Sequence, residues 1–168
     1  MYVLPRLQGI EDAVRAVISV NEALGYTAYT LDIYGQVDSS QTDWFEQLQA
    51  SFPSYISYCG LVPFDESTNV LKRYFALLFP TYYDGEGFAG TLIDAFSAGI
   101  PVIASDWKYN PEIVNEHVGY LYPAKDVAAL AAVLKDVSHD PSIIIEMKKS
   151  CLKESKKYEL ETVVRDLL

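Results

Sequence analysis

Along the chain, short unbroken apolar runs alternate with longer stretches whose apolar residues keep a helical spacing. The opening "MYVLPRL" reads as a short apolar strand. Ile10, Ala13, Val14, Val17, Ile18 and Leu24 then hold one face of a helix, and Gly25 is placed to end it. "AYTLDIYG" reads as a strand closed by Gly35, "QTDWFEQLQASF" as a helix, and "YISYCG" as a second glycine-closed strand. After a turn at Pro63, a helix is expected from about Glu66 to Tyr74. "ALLFPT" reads as a buried strand, "TLIDAFSAG" as a helix capped by Gly99, and "PVIASD" as a further strand. "NPEIVNE" predicts a short helix, "VGYLYP" a strand, Val127 to Val137 an amphipathic helix, and Pro141 the start of a last helical segment.

Strands that are apolar throughout, rather than every second residue, belong to a parallel sheet covered on both faces. The expected fold is therefore α/β, a doubly wound parallel sheet of Rossmann-like type. With no repeat, linker or low-complexity segment, residues 1–168 are expected to form a single domain. Such sheets bind ligands beyond the carboxyl ends of their strands, in the loops that lead into helices.

Composition narrows the functions available. Half of the 168 residues are apolar, with a mean hydropathy of +0.06, which excludes disordered and fibrous classes. No apolar run reaches the roughly 18–20 residues that span a bilayer, and "MYVLPRLQG" lacks the basic region of a secretory leader, so a cytoplasmic protein is expected. Cys59 and Cys151 fit no metal spacing and read as idle thiols of a reducing compartment. A formal charge of −10 would repel a phosphate backbone, so no nucleic-acid partner is expected. The lysine-rich "MKKSCLKESKK" is interrupted by glutamate and reads as a solvated helix face. His117 and His139 sit in loop sequence and read as surface residues rather than bases.

Candidate chemistry gathers in "YYDGEGFAGTLIDAFSAGIPVIASD", Tyr82 to Asp106. Here Asp84, Glu86, Asp94 and four glycines crowd the passage from a strand to a helix beginning about Thr91. A helix amino end offers N–H donors and partial positive charge to an anion. Gly87 and Gly90 would let the main chain approach it. Glu86 and Asp94 could then accept hydrogen bonds from sugar hydroxyls on either side of a diphosphate, the layout of a nucleotide sugar. Plainer readings stand beside this one. Thr91-Leu-Ile-Asp94 matches a capping box, with Asp94 in the first helical turn. Asp84-Gly-Glu86 reads equally as a turn, and an acid-x-acid pair can hold a metal, although no third ligand is evident.

The segment from Leu77 to Val114 resembles the donor-binding core of the group 1 glycosyltransferases, retaining enzymes of the GT-B fold. It carries Pro80-Thr81, Glu86-Gly87-Phe88, Asp94-Ala95, Gly99-Ile-Pro-Val-Ile-Ala-Ser-Asp106 and Glu112-Ile-Val114 in the register of that family's E-x(7)-E signature. Weaker likenesses at "GIEDAVRAV", "LDIYG", "ISYCGLV" and "VGYLYPAKDVAAL" extend it over nearly the whole chain. The resemblance implies that Glu86 holds hydroxyls of the transferred sugar and is the catalytic candidate. Gly87, Phe88, Ala89, Gly90 and Thr91 would cradle sugar and diphosphate. Asp94 would bind the ribose, Gly60, Leu61 and Val62 would border the base, and Arg6 would neutralise the diphosphate.

Several positions depart from the family pattern. Asp94 stands for glutamate, Ala89-Gly90 for Gly-Leu, and Gln8 for a lysine. Trp107-Lys-Tyr-Asn110 replaces a glycine pair, as in members that build surface polysaccharides.

What the resemblance implies as a whole is one half of a GT-B enzyme. This chain would be the donor half of a transferase for surface polysaccharide, inactive without an N-terminal acceptor domain that it lacks. No cofactor or metal is expected. The expected partners are a nucleotide-sugar donor and the N-terminal half, with peripheral contact at the inner face of the membrane left open for the parent enzyme. The alternative is a non-catalytic nucleotide-binding or interaction module on the same fold. A dinucleotide-binding epimerase is disfavoured, because no G-x-G-x-x-G follows a first strand.

Overall fold

The computed structural model describes residues 9–159. The expected strand at the N-terminus, with Arg6 and Gln8, lies outside them. Twelve regular elements follow in order among the described residues: α1 (Ile10–Leu24), β1 (Leu31–Tyr34), α2 (Thr42–Ala50), β2 (Ile56–Gly60), α3 (Ser67–Leu71), β3 (Leu77–Phe79), α4 (Gly90–Ser97), β4 (Val102–Asp106), α5 (Asn110–Ile113), β5 (Gly119–Pro123), α6 (Val127–His139) and α7 (Ser142–Ser155). Short 3₁₀ turns at Ser39–Gln41, Phe64–Glu66 and Lys156–Tyr158 complete the chain.

Every strand pair is parallel. β1 pairs with β2, and β4 lies between β3 and β5, with Leu77 beside Val102 and Val102 beside Gly119. All three residues of β3 and the first four of β4 are buried. Successive side chains of a strand point to opposite faces, so both faces of this ladder are covered. α1 packs with α6, and α4 packs with α7. Phe96, Leu92, Ile100 and Leu130 are fully buried in the core between these layers. Each contributes about 1.5–3 kcal/mol by leaving water.

The ladder of β1 and β2 departs from the expected unbroken apolar pattern. In β1 only Leu31 and Ile33 are buried, and in β2 only Ile56. β1 is also shorter than "AYTLDIYG" predicts. The side chain of Asn21, near the end of α1, accepts from the backbone N–H of Ala28 (2.9 Å) and Tyr29 (3.0 Å). It donates to the Tyr29 carbonyl as well, at 2.9 Å. Those backbone groups are satisfied by a side chain, so the ladder begins only at Leu31.

Two further boundaries have local causes. β3 stops at Phe79 because Pro80 has no N–H to continue a ladder. The helix expected from Glu66 to Tyr74 resolves into a 3₁₀ turn and the short α3. Gly25 does end α1, in the left-handed conformation at φ 75°, its N–H bonded to the Asn21 carbonyl. Asp126 caps α6 by accepting from the N–H of Ala129 at 2.9 Å. Among the described residues no helix is long and apolar enough to cross a membrane.

Candidate functional site

The parallel strands β3, β4 and β5 deliver their carboxyl ends, and the loops that follow, to one rim. The loop after β3 begins with Pro80 and Thr81, both buried. Thr81 organises it: its hydroxyl donates to Glu86 Oε2 at 3.0 Å and accepts from the N–H of Tyr83 at 3.2 Å. Its carbonyl accepts from the hydroxyl of Ser105, the penultimate residue of β4. Ser105 is fully buried, and its own carbonyl accepts from Asn110 Nδ2 at 3.0 Å. A run of polar contacts thus passes from α5 through β4 and the loop after β3 to the carboxylate of Glu86.

Glu86 is half-buried, and this burial raises its carboxyl above the ordinary value of 4.5. The hydrogen bond from Thr81 offsets the effect only in part. A carboxyl that holds its proton more tightly in the folded state stabilises the fold below its unfolded pKa. That stability is lost as pH rises through the folded value. Glu86→Gln keeps an acceptor for Thr81 and removes the charge. It should therefore be more stable than the parent at pH 7, with the difference closing toward about pH 4. Urea melts across that range would show it.

α4 begins at Gly90, one residue earlier than expected, with Ala89 at the N-cap and no side chain capping the amino end. The capping-box reading is therefore corrected. That motif needs serine or threonine at the N-cap itself, whereas Thr91 is the second helical residue and is buried. Asp94 accordingly lies in the second turn, not the first, and does not serve the helix end. Its Oδ2 accepts from the Ser67 hydroxyl at 2.7 Å, which ties α4 to the first residue of α3. Glu86 and Asp94 each hold one hydroxyl of the protein itself, Thr81 and Ser67, and each retains a further oxygen.

The remaining candidates divide by exposure. Gly87 and Gly90 are exposed, and a Cβ at either would meet nothing within 4 Å. Phe88 is 61% exposed. Its ring lies 5.7 Å from that of Tyr158, beside a shallow cleft bordered by Tyr109, Glu112 and Ile113. Ala89 and Thr91 are buried and anchor the loop from below. Gly60 ends β2 in the left-handed region at φ 73°. Leu61 after it turns out to solvent and Val62 turns into the core, so Leu61 is the apolar side chain offered at that edge. Ser67, Thr81, Ser105 and Asn110 were not among the expected site residues. The contacts of Ser67 with Asp94 and of Ser105 with Thr81 join positions 27 and 24 residues apart.

Residues 2–140 match the family described as Glycosyl transferases group 1. The amylovoran biosynthesis glycosyltransferase AmsK of Erwinia amylovora is 26% identical over 147 residues, covering 84% of this chain and 36% of that protein. The O-antigen chain mannosyltransferase B of Escherichia coli is 30% identical over 87 residues, covering 51% of this chain and 22% of that protein. The chain thus spans about a third or less of these curated relatives. Among solved structures, the C-terminal domain of the group 1 glycosyl transferase LpcC from Francisella tularensis superimposes with a TM-score of 0.79 at 19% identity. It covers 95% of this chain and 85% of that one. Alr3699/HepE of Anabaena, solved in complex with UDP, gives 0.80 at 14% identity, covering 99% of this chain and 46% of that one. Both likenesses establish a Rossmann-like fold.

Proposed function

Because the chain belongs to the group 1 glycosyl transferases, we propose that it is the donor-binding half of a retaining GT-B glycosyltransferase acting in surface-polysaccharide synthesis. One observation carries this reading: α4 opens without a side-chain cap, behind an exposed glycine loop, with Glu86 and Asp94 held by Thr81 and Ser67 on either side. The N–H groups at that end suit a diphosphate, and carboxylates oriented by neighbouring hydroxyls suit the hydroxyls of a sugar and a ribose. Relatives named for amylovoran and O-antigen synthesis, and a similarly folded protein solved with UDP, point the same way.

In this reading Asp94 binds the ribose, Gly60, Leu61 and Val62 border the base, and Gly87 to Thr91 cradle the diphosphate. Glu86 orients the transferred sugar. As the glycosidic bond to the diphosphate breaks, negative charge grows on the leaving oxygens, where preorganised N–H groups stabilise it without a metal. The closing surface, and the greater part of the acceptor site, come from a second, N-terminal half. The parent enzyme would work in the cytoplasm or at the inner face of the membrane.

Calorimetric titration with UDP and GDP tests the donor site. One of them is expected to bind with a dissociation constant on the order of micromolar to millimolar. A radiolabelled transfer assay with the 168-residue chain alone is expected to show no turnover. Silence toward every nucleotide diphosphate would instead favour a non-catalytic module.

A further inference from the structure

Among the described residues, two that are not glycine occupy the left-handed region, and both are lysines: Lys108 at φ 49° and Lys125 at φ 67°. Side chains rarely accept that backbone, and it persists where surrounding structure imposes it, often at a functional site. Lys108 follows β4 by two residues and Lys125 follows β5 by two. Asp106 pairs with Pro123 at the ends of those strands, so both lysines stand on the same rim.

Both ammonium groups turn toward one indole. Lys108 Nζ lies 5.5 Å, and Lys125 Nζ 5.7 Å, from the centroid of Trp107; Lys125 also sits 5.0 Å from the ring of Tyr82. Trp107 is fixed in turn by its Nε1, which donates to the Tyr83 carbonyl at 2.8 Å. Two cations drawn to one ring repel each other, and exposed cation–π contacts are weak. Those contacts do not account for two strained backbones.

Three carboxylates, Asp84, Asp12 and Glu11, face the cluster, the last two acting on Tyr82 as well. Asp84 Oδ1 is 3.8 Å from Lys108 Nζ, but Asp84 is 90% exposed, and such a surface pair gives way readily. Asp12, with Glu11 beside it, lies within electrostatic reach of Lys125 and has its own carboxyl raised by burial.

We propose that Lys108, Trp107, Tyr82 and Lys125 form a subsite for a saccharide ring bearing an anionic group, a carboxylate or a phosphate, on the acceptor side of the Glu86 loop. The ring lies against the aromatic faces, and the anion takes the two ammonium groups with charge-assisted hydrogen bonds. The donor is assigned to the α3–α4 side of β3, through Ser67 and Asp94. This cluster stands on the β4–β5 side, with Tyr82 leading into the loop between them. Its assignment to an acceptor rests on the transferase reading; the subsite itself does not.

The fluorescence of Trp107 can be isolated in a Trp44→Phe chain, since the protein has two tryptophans. Titration with glucuronate or glucose 1-phosphate is expected to give a saturable change at least about tenfold tighter than with glucose or inorganic phosphate. Lys108→Ala and Lys125→Ala should each weaken it about tenfold while leaving UDP binding unchanged. A response to glucuronate alone identifies an acidic sugar, and one to glucose 1-phosphate alone a glycosyl phosphate. Saccharide binding in a chain silent toward UDP supports the subsite and fails only the donor reading. An equal response to glucose or to inorganic phosphate, or no saturation by about 50 mM of either anionic sugar, overturns the proposal. Lys125→Gly separates function from folding. It should lose binding yet keep its Tm at or above that of the parent, because glycine relieves the strained backbone. A fall of more than about 5 °C would show that the side chain serves the fold, and would overturn the proposal too.

Discussion

Replacing Gly9 with alanine is expected to destabilise the protein by about 2–5 kcal/mol, a large cost for one added methyl group. Gly9 is the N-cap of α1 and sits in the left-handed region at φ 105°. A Cβ there would stand 1.8 Å from the carbonyl oxygen of Pro80 and 2.6 Å from its carbonyl carbon. Neither is the movable end of a side chain, so α1 or the end of β3 must shift. Backbone strain adds roughly 1–2 kcal/mol and overpacking roughly 1–3 kcal/mol. For a chain of this size the Tm should drop by about 4–20 °C. Pro80 precedes the threonine that holds Glu86, so nucleotide affinity should fall as well. A melt within about 1 °C of the parent would show that α1 does not press on the β3 rim.

Asp94→Ala should cost the largest share of nucleotide affinity. Losing a charged partner for the ribose hydroxyls is worth about 1.5–3 kcal/mol, or roughly 10- to 150-fold in dissociation constant. Ser67 sharpens the test. Its hydroxyl donates to Asp94 and is buried, so Ser67→Ala should weaken nucleotide binding by a smaller factor. The double variant should bind no worse than Asp94→Ala alone, because residues in contact do not add. If Asp94 serves only Ser67, Asp94→Ala lowers stability, by about 1–3 kcal/mol for a buried hydroxyl left without its acceptor, while calorimetry finds UDP affinity unchanged.

Much of this architecture is legible in the chain. The face from Ile10 to Leu24 holds helical spacing to Gly25, and α1 has those bounds. "LLF" and "VIA" are apolar throughout because β3 and β4 are covered on both sides. Pattern and structure part company where a partner distant in sequence intervenes. Asn21 takes the backbone of Ala28 and Tyr29 out of the sheet, and no local pattern announces it. Thr91 and Asp94 have the spacing of a capping box, but α4 starts at Gly90 and places the threonine one step inside. Asp94 is then oriented by a serine 27 positions earlier, a contact that exists only once α3 and α4 are packed. Tyr82, Trp107 and Lys125 follow three different strands, and only the register of those strands gathers them.

That β3, β4 and β5 run the same way divides the labour of the molecule between two populations of residues. Leu77, Val102, Ile103 and Ala104, sealed between helices, decide whether the chain folds. Asp84, Phe88 and Lys108, exposed beyond the carboxyl ends of those strands, are what the proposed site would offer to a ligand. Lineages can exchange the second population while inheriting the first intact, so new substrates become reachable by small edits to an unaltered frame.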